Sequence, residues 1–388
     1  MKLRSSFEQS AASSVRSTVT RASRWSFLTT LPALVSLGLA AAFLVSAAAA
    51  ETRKDKHDWP GKSDKHSKHS RGHIIVANRG TTNISVIDVR TDSVAATVAL
   101  PPGTSKSEPM YVVHVAARNQ LFVGDRGNNR VVVFDGRTFA VKDIIPAGAG
   151  IWHMWADQVN RQLWVANDIE KTATVIHVRT HKVLATVPMP ADLVALGGKP
   201  HDVFVHPRGH TAYVSIVGLP GTNDVVLKFD TCTFAEVGRA AVGKDPHLSL
   251  SRQKDLLFVP CQTTSEVVVL AADDLSELDS VPVPGAHGAG MKRNGKVFYT
   301  TNLPGGGAQA LWTINTRDGS FLAPPVDTPF AGPHNIALTP NGRKLYVTHS
   351  GPTSTKVTVF TASDKDPTPV YSTTIDVGLN PFGLTYAP

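Results

Sequence analysis

The sequence predicts an all-β fold: a seven-bladed β-propeller with four-stranded blades, its ring closed by the C-terminal strand completing the N-terminal blade. Three observations predict it. One strand-like segment recurs seven times through residues 73–388. The copies follow one another at the period of roughly 40–48 residues that propeller blades use. The first copy has no strand ahead of it, and the chain ends on a lone strand of the missing kind.

The recurring segment reads IIVANRG (74–80), LFVGDRG (121–127), LWVANDI (163–169), AYVSIVG (212–218), LFVPCQT (257–263), FYTTNLP (298–304) and LYVTHSG (345–351). β-Branched and aromatic runs that end on Gly, Asn or Pro are strand-and-turn chemistry. After a polar loop each copy leads to a second run: ISVIDV (84–89), RVVVFD (130–135), ATVIHV (173–178), DVVLKFD (224–230), EVVVLAA (266–272), ALWTINT (310–316) and KVTVFTA (356–362). A third run follows, as at 93–100, 183–190 and 369–377. A short strand precedes most copies, as in HDVFVHPRGHTAYV (201–214) and HNIALTPNGRKLYV (334–347). That makes four strands per unit. The copy at His73 lacks its leading strand, and NPFGLTYAP (380–388) is a leading strand with nothing after it. Joining the two removes the open edges that would template aggregation.

The turn Thr339-Pro340-Asn341-Gly342 with the strand Leu345-Tyr346-Val347-Thr348 resembles the repeat of the YVTN-type seven-bladed propellers. His206-Pro207-Arg208-Gly209 with Ala212-Tyr213-Val214 is a second good match. That family sits in a superfamily with lactonase-like and nitrous-oxide-reductase-like propellers. The resemblance covers residues 73–388 and implies the fold. It leaves function open, because one propeller scaffold hosts enzymes, binders and scaffolds alike.

The formal charge of +8 belongs to the first part of the chain. Residues 1–72 hold 12 Lys/Arg against 5 Asp/Glu, leaving 27 against 26 in the rest. The body is near neutral and lacks the basic footprint of a nucleic-acid binder. Arg16, Arg21 and Arg24 precede an uncharged stretch, Phe27 to Ala50, that ends in alanines. Residues 1–50 read as a signal peptide or signal anchor, so the body is expected to be exported: periplasmic, secreted or anchored facing outward. Residues 51–72, charged and carrying His57, His66 and His69, read as a disordered tether. Membrane contact is expected only through the N-terminal segment, and the body is expected to be a monomer. The chain has two cysteines, Cys232 and Cys261, placed toward opposite faces, so no disulfide between them is expected.

Aligning the leading strands brings Met110, His153, His201, His247, His287, His334 and Phe382 to one position. Small adjustments are needed at His153, His247 and His287. In propellers the leading strand lines the central channel, so five imidazoles are expected to converge at its mouth. Neutral imidazole is the commonest protein ligand for zinc, copper, iron and nickel. The expected metal set is His153, His201, His247, His287 and His334, with copper favoured and iron or zinc as alternatives. Met110, His349, Cys261, Asp202 and Asp245 are expected near it, as are Asn167 and Asn302. The bland reading is that the recurring Pro-His pair is a turn inherited with the repeat.

The arrangement is similar in principle to nitrous oxide reductase and thiocyanate dehydrogenase, exported propellers whose channel histidines hold copper. It is also similar to carotenoid-cleaving oxygenases, where four propeller histidines hold iron. What the resemblance implies is a metal-dependent oxidoreductase acting on a small molecule with an external electron partner, since no second redox domain is visible. Two alternatives stand beside it. One is a non-catalytic scaffold for a peptide, glycan or protein. The other is a magnesium-dependent lyase of the virginiamycin type, with Asp202 or Asp245 on the metal. A calcium site is disfavoured by the scarcity of acids at the channel level. The Gly305-Gly306-Gly307 run precedes no helix and is no phosphate cradle.

Overall fold

The computed structural model describes residues 72–157, 159–251 and 255–388. The expected signal segment 1–50 and residues 51–71 of the expected tether lie outside the described residues. Seven antiparallel sheets form the seven blades of a propeller. Numbering the blades along the chain, blades 2 to 7 begin with inner strands at Pro109–Val115, Ile151–Asp157, Lys199–Val205, Ser249–Ser251, Ala286–Met291 and Pro333–Leu338. Blade 1 takes its inner strand from the end of the chain. Pro381–Ala387 pairs antiparallel with His73–Asn78, in a sheet ordered from that last strand through the first three of the chain. The orphan start and orphan end meet as the sequence predicts.

Second strands such as Leu256–Cys261 and Lys344–His349 are buried along almost their whole length. Fourth strands such as Val183–Pro188 and Glu277–Pro282 are mostly exposed. Cores therefore lie between neighbouring blades: Phe258, Val267 and Val269 of blade 5 pack against Phe298 and Ile314 of blade 6. Blade 6 departs from four strands. Its fourth strand is reduced to two bridges, Leu311 with Val326 and Ile314 with Phe321. Pro324, Pro325 and Pro329 stand in that segment, and proline has no amide hydrogen for a ladder.

The ring is tied together from blade to blade. Lys344 of blade 7 reaches Asp92 and the Val89 carbonyl of blade 1, each at 2.7 Å, and the Tyr346 hydroxyl also donates to Asp92. Removing residues 381–388 exposes the ladder edge of His73–Asn78 and opens the ring. The expected result is loss of the cooperative thermal transition and aggregation on gel filtration; a truncated chain that melts as the whole one does would contradict closure by this strand.

Candidate functional site at the channel mouth

In every blade but the fifth, the inner strand begins with a residue that pairs to the end of the second strand. In blade 4 Pro200 faces Ile216, then Val203 faces Val214, so His201 and Asp202 together oppose one residue. This is a β-bulge, and it re-aims the side chains at the mouth. Blades 2, 3, 6, 7 and 1 carry the same shift. In blades 4, 6 and 7 its extra amide is satisfied by a hydroxyl on the facing strand: Asp202 N–H donates to Ser215 Oγ (2.9 Å), Gly288 to Thr301 Oγ1 (2.7 Å) and Asn335 to Thr348 Oγ1 (3.1 Å). Blade 5 has Pro260 there, no hydroxyl and no shift, and the His247 amide bonds to the Pro260 carbonyl instead (2.8 Å).

The bulge lays down two tiers. The first holds Met110, Trp152, His201, His287, His334 and Phe382, with His247 from blade 5; the second holds Tyr111, His153, Asp202, Gly288, Asn335 and Gly383. The sequence alignment therefore errs by one residue in blade 3. Trp152 occupies the shared position, and His153 falls one residue on, because the bulge falls between Ile151 and Met154.

His153 nevertheless joins the others. The imidazoles run side by side: His153–His201 5.1 Å, His201–His247 4.6 Å, His247–His287 3.8 Å and His287–His334 4.6 Å between ring centres. Phe382 closes the row at 4.1 Å from His334. The candidate ligand atoms of His153, His201 and His247 all lie within 4.8 Å of one another. Glycine makes the room. A Cβ at Gly288 would collide with the His334 carbonyl, and one at Gly383 would press on the Tyr111 ring.

Two carboxylates orient two of the rings. His153 Nδ1 lies 2.8 Å from Asp202 Oδ1, and His201 Nδ1 lies 3.2 Å from Asp245 Oδ1, an ion-pair distance without good hydrogen-bond geometry. A carboxylate behind Nδ1 leaves Nε2 with its lone pair toward the site. For His153 that lone pair accepts from the Tyr111 hydroxyl at 2.7 Å. Asn335 Nδ2 lies 3.1 Å from the same hydroxyl and 2.7 Å from His334 Nδ1. A polar chain thus crosses the channel from Asp202 through His153, Tyr111 and Asn335 to His334.

Burial sets the protonation states. It pushes His247 down to about 3 with help from its imidazole neighbours, and holds His287 and His334 well below the ordinary value. His153 is also lowered, by burial, against the pull of Asp202. Burial opposes the charges on Asp202 and Asp245, yet the histidines facing them hold both carboxyls below their usual range. The rings of His153, His247, His287 and His334 are neutral and the two carboxylates charged at pH 7. His247 and His287 bury both ring nitrogens with no hydrogen-bond partner.

Other expected neighbours serve the blades. His349 is fully buried and uses Nδ1 on the Ala331 carbonyl (3.1 Å) and Nε2 on Thr358 Oγ1 (2.9 Å). Asn167 holds Thr172 and Thr174 in the same manner. These ends of second strands pin the third strand and do not turn to the channel. Cys261 lies in the blade 4–blade 5 core, where burial pushes its thiol up; Cys232 is exposed, and both are free. Met110 is wholly buried among Ile151, Met154 and Phe122. Asn302 is buried at the base of a loop that brings Leu303 to the mouth.

Above the rings opens a cavity of about 370 Å³ lined by Trp152, Lys199, His201, Val217, Leu303 and Phe382, among others. Arg126 pairs with Asp168 (2.8 and 3.3 Å) and stacks 4.8 Å from the Trp152 ring. Sequence reasoning missed Tyr111, Trp152, Asn335 and Arg126. The available signal was that Tyr111, Trp152 and Asn335 each sit beside an aligned position, while Arg126 lies in the second-strand repeat at 121–127.

The model of one protein family, described as lactonase, 7-bladed beta-propeller, matches residues 36–286. No curated protein matches the sequence. Among solved structures, the periplasmic gluconolactonase PpgL of Pseudomonas aeruginosa is similar at 18% identity and TM-score 0.64, over 82% of this chain and 99% of that one. Kuenenia stuttgartiensis hydrazine synthase is similar at 16% identity and TM-score 0.59, over 72% of this chain and 90% of that one. At these identities the likeness is one of fold.

His349 yields a test independent of the mouth. Burial lowers it to about 4, so the folded state keeps it neutral while the unfolded chain binds a proton below about 6.5. Its share of stability is present above that pH and is lost as pH falls toward 4. Urea melts at pH 7 and 4.5 should show His349→Gln losing less stability than the parent, by roughly 2–3 kcal/mol. Equal losses would mean that His349 does not titrate with folding.

Proposed function

The chain belongs to the seven-bladed β-propeller lactonase family, and on that premise we propose that its mouth holds a transition-metal ion through imidazole nitrogens, beneath a small-molecule site. The observation that carries this reading is the pair His247 and His287, whose four ring nitrogens are buried without partners. Each such atom costs about 1–3 kcal/mol. Protonation offers no relief, because burial disfavours the charged ring. A metal satisfies neutral imidazole nitrogen directly.

His153, His201 and His247 form the tightest set, with Tyr111 giving up its hydrogen bond to His153 Nε2 on binding, and Asp202 and Asp245 stand behind the first two as carboxylates stand behind metal-bound histidines. Metal–nitrogen bonds of about 2.0–2.1 Å put tetrahedral ligands roughly 3.4 Å apart, so the set tightens by about an ångström on binding. His287 and His334 flank it. All-imidazole ligation suits copper first, then iron or zinc. An oxidoreductase on this site needs an external electron partner. The metal would polarise a substrate carbonyl and lower the pKa of a bound water. Family membership, with a gluconolactonase among the similar structures, favours a second reaction class: hydrolysis of a lactone. Export, inferred from the leader, fits the periplasmic location of that gluconolactonase. The lyase reading has less support, since Asp202 and Asp245 face histidines.

Metal content by mass spectrometry tests the proposal. Chains from copper-, iron- and zinc-supplemented cultures should carry about one ion each. His201→Ala/His247→Ala should carry none, and His57→Ala/His66→Ala/His69→Ala should match the parent. No ion under any supplement, or loss only in the triple variant, would leave a binding scaffold.

A further inference from the structure

We propose that the cavity above the histidines takes a small organic carboxylate, its anionic head on Lys199 and its apolar body between Trp152, Val217 and Leu303. The proposal deepens the reading of the same site by naming the ligand class, and it rests on that reading only for the place of the reacting group.

The charges lining the cavity carry the argument. Three charged residues reach it: Asp168, Lys199 and Asp245. Asp168 is matched by the bidentate Arg126, and Asp245 faces His201. Lys199 has no carboxylate within ion-pair distance among the described residues, and its ammonium has no hydrogen-bond partner there. The comparison with blade 5 is informative. Lys244, one residue further from its Pro-His pair, is committed to the Leu219 carbonyl (2.6 Å) and Asp224 (2.8 Å), and Asp245 takes the place next to the proline. Blade 4 leaves its lysine uncommitted at the cavity wall.

The remaining wall selects the body of the ligand. Trp152 and Phe382 supply ring surface, and Val217 and Leu303 supply aliphatic surface. Guanidinium groups stand over those rings: Arg126 lies 4.8 Å and Arg79 5.6 Å from Trp152, and Arg79 lies 5.3 Å from Phe382. Arg126 is paired with Asp168 and Arg79 lies 3.9 Å from Glu108, so they hold the rings in place and leave Lys199 as the unpaired cation of the wall among the described residues. About 370 Å³ is the small end of ligand cavities, which admits a ligand of modest size.

Calorimetry on the full chain of known metal content tests this with 3-phenylpropanoate, 3-phenylpropanamide and 3-phenylpropylamine as probes. A charge-assisted contact to Lys199 should favour the carboxylate over the amide by roughly 10- to 100-fold, with the amine weakest. Lys199→Met should remove most of that preference at unchanged metal content, and Lys199→Arg should keep most of it. Equal binding of carboxylate and amide, or a preference that survives in Lys199→Met, overturns the proposal even when metal is present. A Lys199-dependent preference in a chain that holds no metal upholds the ligand class and removes the metal reading instead.

Discussion

The pairing of Pro381–Ala387 with His73–Asn78 is the constraint on which the rest depends. A propeller blade buries its faces only against neighbours, so an unclosed ring leaves two of them wet. Closure by one hairpin-like exchange between the chain ends fixes the angular spacing of all seven inner strands. The same strand delivers Phe382 beside His334 and Gly383 beside Tyr111. The closing strand therefore also forms a wall of the mouth.

At the mouth, a repeated backbone irregularity does what a regular ladder would not. A regular inner strand would alternate its side chains between two faces. The bulge places two consecutive residues at the channel, which is why His201 and Asp202, or His334 and Asn335, both serve the site. Hydroxyls of Ser215, Thr301 and Thr348 satisfy the extra amide. Burial then keeps His153, His247, His287 and His334 neutral, and crowded neutral imidazoles have few favourable partners other than hydrogen bonds or a metal. The polar chain through Tyr111 supplies the hydrogen bonds on one side of the ring, and His247 and His287 on the other side are left with none.

The fold was legible in the sequence because a repeat writes the same strand chemistry seven times, and the two orphan ends admit one closure. The histidine ring was legible for the same reason, down to Pro-His pairs at 200–201, 246–247 and 333–334. What escaped was the bulge. It brings two consecutive residues to the channel in six blades, so matching by residue type set His153 beside His201 although Trp152 holds that position, and left Tyr111 unnoticed beside Met110. The roles given to His349 and Cys261 failed on a related point. Ending a second strand places a residue on the correct face of the ring but aims its side chain into the blade, where His349 holds Thr358. The fourth strand of blade 6 was lost to its prolines, a local veto that outweighs the repeat.

The central claim is that imidazoles of the ring are metal ligands. X-ray absorption at the metal edge, on the full chain loaded with one equivalent of copper, tests it most directly. Three or more nitrogen scatterers at about 2.0 Å with imidazole outer-ring scattering, reduced in His247→Ala, are the predicted result. A shell of oxygen alone, or a nitrogen shell unchanged in that variant, would contradict the account.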